Sequence, residues 1–317
     1  MSGRPSTLHL GIDLGGTNLK WAVVEAADGG WRTVDRGQGP TRADEGPDAV
    51  IGRMIAIAES ACGKWPAVGS VGIGVPGLYD PASGSTRFLV NFPGGWKGSP
   101  VGPPIEQAVG LPASLINDAR AFGLAELRLG AGRGASSLVG FTLGTGVGGF
   151  VAVNGRVHLG HDGTAGELGH QTIDPDGPSC NCGNHGCLEA FARADRLAEA
   201  CGTATAEEAI SAARAGDERA LAGFASVGRY LGSGIANVVT IISPDRVVIG
   251  GGNAAAGDLL LSPIRGELRR RVLTTDLDEV EIVLAELGTW AGAIGAAVHG
   301  AEAAASRGAP AGAAPGR

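Results

Sequence analysis

One short device occurs twice in this chain, as "GIDLGGTNLKWAVV" at residues 11–24 and as "FTLGTGVGGFVAV" at residues 141–153. Each copy reads as an apolar strand, a Gly/Thr-rich turn and a second strand. A device repeated at this distance predicts two related lobes facing one another. The 317 residues are long enough for both, because a single hydrophobic core rarely grows past about 250–300 residues.

The rest of the pattern alternates strands with helices, which makes the class α/β. "LHLGIDLG", "LKWAVVEA" and, after the turn-prone "ADGG", "WRTVDRG" predict three antiparallel strands. A helix over "DAVIGRMIAIAESAC" and a buried strand "VGSVGIGVPG" follow, and then a short strand "ASLIND" runs into the helix "ARAFGLAELRLG". The second round contains an Asn154-Gly155 hairpin turn and a further strand after it. A Cys-rich loop comes next, then helices over 189–200 and 205–240, a strand "DRVVIGGG", a helix over 258–272, a strand "VEIVLAE" and a helix "AGAIGAAVHGAEAAA". The tail "RGAPAGAAPGR" has no periodicity and is expected to be disordered.

No apolar run approaches the length of a membrane span, and "MSGRPSTLHL" lacks the apolar core of a secretion signal. The expectation is a cytoplasmic protein with no membrane partner. In that reducing compartment the clustered cysteines are metal ligands or catalytic groups sooner than disulfide partners, while the isolated Cys62 and Cys201 read as buried small apolar residues. A net charge of −7 without any basic run argues against a nucleic-acid partner.

In "DLGGTN", Gly15 and Gly16 remove side chains so that backbone N–H groups can meet an anion, Thr17 and Asn18 add short polar groups, and Asp13 offers a carboxylate for a hydrated Mg²⁺. "GTGVGG", with Gly144, Thr145, Gly146 and Gly148, has the same ingredients, and "IGGGN", with Gly251, Gly252 and Asn253, is a third glycine loop at a strand end. None is a Walker A loop or a dinucleotide fingerprint. Plain glycine turns without a ligand are the alternative for each. His170-x9-Cys180-x-Cys182-x4-Cys187 supplies four N/S ligands, a closed tetrahedral set suited to structural Zn²⁺. Asp118, where "LIND" gives way to a helix, is placed to be that helix's N-cap, or else a general base toward a hydroxyl attacking phosphorus. Asn117, Glu167, His170 and Glu189 are polar groups of the kind that hold vicinal sugar hydroxyls.

In order and separation, "DLGGTN", "LIND", "GTGVGG", "GELGH" and "CNCGNHGCLE" resemble the ROK family of sugar kinases and sugar-responsive repressors, its bacterial glucokinase branch above all. The resemblance runs from about residue 8 to about 300. It implies a two-lobed hexokinase/actin-like (ribonuclease H-like) fold with mixed sheets. Residues 1–118 with about 291–310 would form the smaller lobe, residues 119–290 the larger lobe with the zinc, 307–317 a disordered tail, and the sugar would lie between the lobes. It implies Asp118 as the base that deprotonates the sugar 6-hydroxyl for in-line attack on the γ-phosphate of ATP. Gly77, Asn91, Asn117, Asp118, Glu167, His170 and Glu189 would bind the sugar, with His170 shared between zinc and a sugar hydroxyl. Asp13, Gly15, Gly16, Thr17, Asn18, Lys20, Gly144, Thr145, Gly146 and Gly148 would hold the phosphates with Mg²⁺, and Gly251, Gly252 and Asn253 would lie near the nucleoside. A dimer or tetramer is implied too.

Arg120 departs from that pattern, where a small polar residue such as Asn is usual, and leaves the particular sugar open between glucose, an N-acetylhexosamine and fructose. The family's repressors carry an N-terminal DNA-binding module, for which a first strand beginning near Leu8 leaves no room, so a kinase is expected over a regulator.

Overall fold

Apolar residues alternate with His9, Gly11 and Asp13 along "TLHLGIDL", and this stretch forms β1 (Thr7–Leu14), with Leu8, Leu10, Ile12 and Leu14 all buried. The computed structural model describes residues 7–27, 30–89 and 92–307, so the expected tail lies outside the described residues apart from Arg307. β2 (Asn18–Ala27) and β3 (Gly30–Pro40) run antiparallel beside β1, as the pattern predicts. α1 (Pro47–Lys64) carries proline in its first turn, where the missing N–H would have no helical partner, and buries Val50, Ile51, Met54, Ala58 and Ala61. β4 (Val68–Val75) then joins β1 in parallel.

The segment 78–112, to which the sequence pattern assigns nothing, is not bare loop. β5 (Gly77–Asp80) and β6 (Ser85–Leu89) form a small hairpin, and α2 (Gly102–Val109) follows. β7 (Ala113–Asn117) pairs in parallel with β4 and passes directly into α3 (Asp118–Leu129). The sheet order is β3-β2-β1-β4-β7.

The second half builds the same sheet again. β8 (Leu138–Leu143) and β9 (Val147–Val153) are antiparallel, and β10 (Arg156–Val157) returns through the Asn154-Gly155 turn. Both turn residues have positive φ, 53° and 67°, as a two-residue hairpin of this kind requires. α4 (Leu188–Ala192), α5 (Ala194–Cys201), α6 (Ala206–Arg214) and α7 (Glu218–Ile242) lead to β11 (Arg246–Gly250), which pairs in parallel with β8. α8 (Asp258–Arg271) and β12 (Glu281–Leu284), parallel to β11, complete it. The order β10-β9-β8-β11-β12 repeats the first sheet strand for strand.

Two expected helices are each broken in two. Residues 189–200 interrupt at Arg193, which is extended (φ −67°, ψ 162°) so that Ala194 N–H can donate to Gly144 O at 2.8 Å. Residues 205–240 interrupt at Gly216 (φ 88°) and Asp217, whose carboxylate caps α7 by accepting from Ala220 N–H at 2.8 Å.

The last helix, α9 (Ala291–Arg307), belongs to the first half. It lies directly on β1 and β4 because glycine faces it there: a Cβ on Gly11 would stand 1.9 Å from Ala293 O, and one on Gly72 1.7 Å from Ala296 O. The chain thus divides into two compact units, Met1–Leu129 with Thr289–Arg317, and Gly130–Gly288. The boundary falls after Leu129 rather than after Asp118. α3 stays with the first unit because it packs on α9 so closely that a Cβ on Gly295 would meet Ala121 O at 1.7 Å. Among the described residues, no helix is long and apolar enough to cross a membrane.

Candidate active site

In the first unit the singled-out residues collect at the carboxyl ends of the parallel strands β1, β4 and β7, where open α/β sheets place their ligands. Asp13 stands near the end of β1, opposite Lys20 of β2 and Gly74 of β4. Its carboxylate rests on the bare backbone of Gly292 in the first turn of α9, where a Cβ would lie 2.7 Å from Oδ2. Burial, reinforced by the negative charge of Asp118 and opposed by Lys20, pushes the Asp13 carboxyl up to about 7. Such a group is poised to exchange its proton for a cation near neutral pH.

The strand-to-helix junction resolves the competition over Asp118. Asn117 ends β7, and its Oδ1 accepts from the N–H groups of Ala119 at 3.0 Å and Arg120 at 3.3 Å. These are the bonds of a helix N-cap, so the cap is Asn117, and Asp118 is the first residue of the helix. Asp118 Oδ1 shares the Ala119 N–H, at 2.8 Å. The first turn of α3 favours a carboxylate there through the helix dipole. Asn117 Oδ1 also accepts from Arg120 Nη1 at 2.9 Å, while its Nδ2 donates to Gly77 O at 3.2 Å. Gly77 has φ of 123°, and a Cβ on it would stand 2.4 Å from Phe88 O. Arg120 is only 1% exposed. Asn91 lies outside the described residues.

Both glycine turns spend part of their backbone on themselves. Gly15 N–H donates to Asp13 O and Asn18 O, each at 3.2 Å, and Gly144 N–H donates to Gly146 O at 3.0 Å. The first glycine of each turn therefore closes it instead of facing an anion. Gly148 lies within β9, paired with Thr142. Gly251 (φ 88°) packs against the backbone of Leu143, immediately before the second turn. Beyond it, the buried Asn253 has no partner for its Nδ2 among the described residues. A buried amide left unpaired is costly, and it marks the loop as incomplete without a further acceptor.

The second unit also holds the cysteine cluster. His170, Cys180, Cys182 and Cys187 offer one ligand atom each, all within 4.8 Å of one another. All five cysteines are free thiols. His170 Nδ1 faces Cys180 Sγ at 3.7 Å, and its Nε2 faces Glu167 Oε2 at 3.9 Å. The loop is held by its backbone: Cys180 N–H donates to Asn184 O at 2.8 Å, and Leu188 N–H donates to Gln171 O at 3.0 Å. Burial pushes the Cys180 thiol up to about 12, and a bound cation would favour its deprotonated form. Three sulfurs and one imidazole at this spacing form the donor set that suits tetrahedral zinc.

Glu189 stands between this cluster and the second glycine turn. Its Oε2 accepts from Val147 N–H at 2.9 Å, and its Oε1 lies 3.6 Å from Cys180 Sγ. Arg193 is ion-paired to Asp195 at 2.7 Å and also lies within electrostatic reach of Glu189 and Cys180.

The first unit thus gathers Asp13, Lys20, Gly77, Asn117 and Asp118, and the second gathers the turn 144–148, Glu167, His170, the cysteines, Glu189, Gly251 and Asn253. Sequence reasoning did not find Gly292 or Arg193. Gly292 follows Trp290-Ala291 with no local signal, and only the packing of α9 brings it to Asp13.

A family model described as the ROK family matches residues 9–301. A glucokinase of Halalkalibacterium halodurans is 36% identical, over 90% of this chain and 93% of its own length. The crystal structure of a ROK hexokinase from Thermus thermophilus superposes with a TM-score of 0.83 at 35% identity, covering 95% of this chain and all of that one. A ROK family glucokinase from Streptomyces griseus, in complex with glucose and AMPPNP, gives 0.78 at 30% identity over 93% and 99% of the two chains.

Proposed function

The chain belongs to the ROK family, and from that membership we propose that it is an ATP-dependent hexose kinase that phosphorylates the 6-hydroxyl of glucose. The observation that carries the site assignment is the junction at 117–118. Because Asn117 takes the capping bonds, the Asp118 carboxylate is placed at a helix N-terminus beside Asp13 without being the cap. Asp118 accepts the proton of the sugar 6-hydroxyl as that oxygen attacks the γ-phosphorus, and the bond to the β-phosphate oxygen breaks to release ADP. Positioning and charge supply most of the rate in such a transfer.

Gly77, Asn117, Glu167, His170 and Glu189 bind the sugar. Asp13, with Lys20 opposite, and the N–H groups of Gly16, Thr17, Thr145 and Gly146 serve the phosphates, while Asn253 Nδ2 serves the nucleoside. Mg²⁺ at Asp13 would neutralise phosphate charge. Zinc on His170, Cys180, Cys182 and Cys187 would brace the loop that carries Glu189. Residence in the cytoplasm and assembly as a dimer or tetramer belong to the same proposal.

The test is ADP release across glucose, mannose, fructose, glucosamine and the N-acetylhexosamines, with ATP and polyphosphate as alternative donors. Turnover is expected to be fastest with glucose and ATP. A preference for an N-acetylhexosamine would move the assignment within the family, and no ADP release with any sugar would remove it.

A further inference from the structure

The carboxylate of Glu189 is wedged beneath the second glycine turn. Its Oε2 accepts from Val147 N–H at 2.9 Å, and it approaches Gly146 so closely that a Cβ there would meet Oε2 at 2.6 Å. Its other oxygen lies 3.6 Å from Cys180 Sγ. The backbone at Glu189 is tied to the cluster as well, because Cys187 is the residue that opens α4 and Glu189 is the second residue of that helix. α4 ends in the break at Arg193, after which Ala194 N–H returns to Gly144 O at 2.8 Å. The turn 144–147 is therefore gripped at both ends by the short stretch 189–194 that follows Cys187, at one end by Glu189 of α4 and at the other by the first residue of α5.

We propose that Glu189 is a positioning residue for the nucleotide as well as a sugar ligand: it acts as a strut through which the metal-holding loop sets the geometry of the 144–147 turn. Loading the cluster fixes Cys187, Cys187 fixes the start of α4, and α4 aims Glu189 at Val147 N–H. With that N–H anchored, the neighbouring N–H groups of Thr145 and Gly146 are turned outward toward the phosphates. Metal occupancy in the sugar-binding half of this unit is thereby coupled to nucleotide affinity, with no metal contact to the nucleotide. The inference rests on the reading of the 144–148 turn as a phosphate site.

The test uses the full-length, zinc-loaded protein, its metal-stripped form, and the variants Glu189→Gln and Glu189→Ala, with zinc content measured in each. Gln keeps a carbonyl acceptor for Val147 N–H, whereas Ala removes it. AMPPNP affinity is expected to weaken about tenfold in Glu189→Ala and in the stripped wild type, and to stay within about threefold in Glu189→Gln, the scale of one charge-assisted hydrogen bond. Amide exchange at Val147, read without nucleotide, is expected to quicken in the same two samples and not in the glutamine variant. Unchanged Val147 exchange in zinc-replete Glu189→Ala, or nucleotide affinity that ignores both the metal and the alanine, would overturn the strut. Failure of the loaded wild type to bind AMPPNP would instead remove the kinase reading, and Val147 exchange would still decide the strut by itself.

Discussion

Arg120 Nη1 donates to Asn117 Oδ1 at 2.9 Å, and together with two backbone N–H groups on the same oxygen it holds the Asn117 amide one way round. With Oδ1 already accepting from the N–H groups of Ala119 and Arg120, the amide can offer only Nδ2 outward, and Nδ2 has one hydrogen left after Gly77 O. Asn117 therefore meets a ligand as a donor. Arg120, the residue that departs from the family's usual small polar group, is thus built into the presentation of Asn117.

Replacing Arg120 by Met keeps the volume and removes the donor. KM for the sugar is expected to rise about tenfold, the scale of one loosened hydrogen bond, with kcat falling much less because the contact is made in ground and transition states alike. Steady-state kinetics against sugar concentration measure the split. An equal fall in kcat and kcat/KM with KM unchanged would place Arg120 in the chemistry instead.

Asp13 supplies a pH signature. Its folded-state pKa is raised from 3.8 to about 7, so the folded protein keeps a proton that the unfolded chain releases. The stability from that retained proton is fully present below the unfolded value and is lost as pH rises from about 4 to 7. Asp13→Asn cannot ionise and escapes this loss. In calorimetry without Mg²⁺, the variant's Tm advantage over wild type is expected to grow between about pH 4.5 and pH 7 and to level off above that. Mg²⁺ added at about pH 8 is expected to shrink the difference by stabilising only the wild type. A Tm difference independent of pH would mean that Asp13 titrates as an ordinary surface aspartate.

The cluster predicts a stoichiometry. Elemental analysis of purified protein is expected to find about one zinc per chain, falling toward zero in Cys182→Ala. Chelation is expected to lower Tm by several degrees without abolishing the fold, because the loop's backbone bonds persist while the metal's contribution is lost. A metal-free protein with unchanged Tm on zinc addition would leave the four residues as a cluster of thiols.

The repeated sheet was legible in the sequence because each copy marks itself with the same strand–turn–strand pattern, and the parallel strands that follow are short stretches rich in Val, Ile, Leu and Gly. The break at Arg193 was not. "LEAFARADRLAEAC" has no Gly or Pro, and only a distant carbonyl at Gly144 pulls Ala194 out of a continuous helix. The break at Gly216-Asp217 did carry a local signal, a glycine followed by a capping aspartate. The chemistry at 117–118 was legible in residue type but not in role: two adjacent cap-competent residues look interchangeable until the backbone shows which one turns toward the helix. The glycine turns read correctly as turns, but sequence alone could not show that Gly15 and Gly144 use their N–H groups to close them.

The central claim is that Asp118 takes the proton of the attacking hydroxyl, and a single-turnover measurement of glucose 6-phosphate formation by Asp118→Asn, paired with glucose binding, tests it most directly. The rate is expected to fall by about 10²–10⁴-fold, the range of a lost general base, while glucose affinity stays within about tenfold. Glucose 6-phosphate appearing at near wild-type rate from that variant would contradict the account.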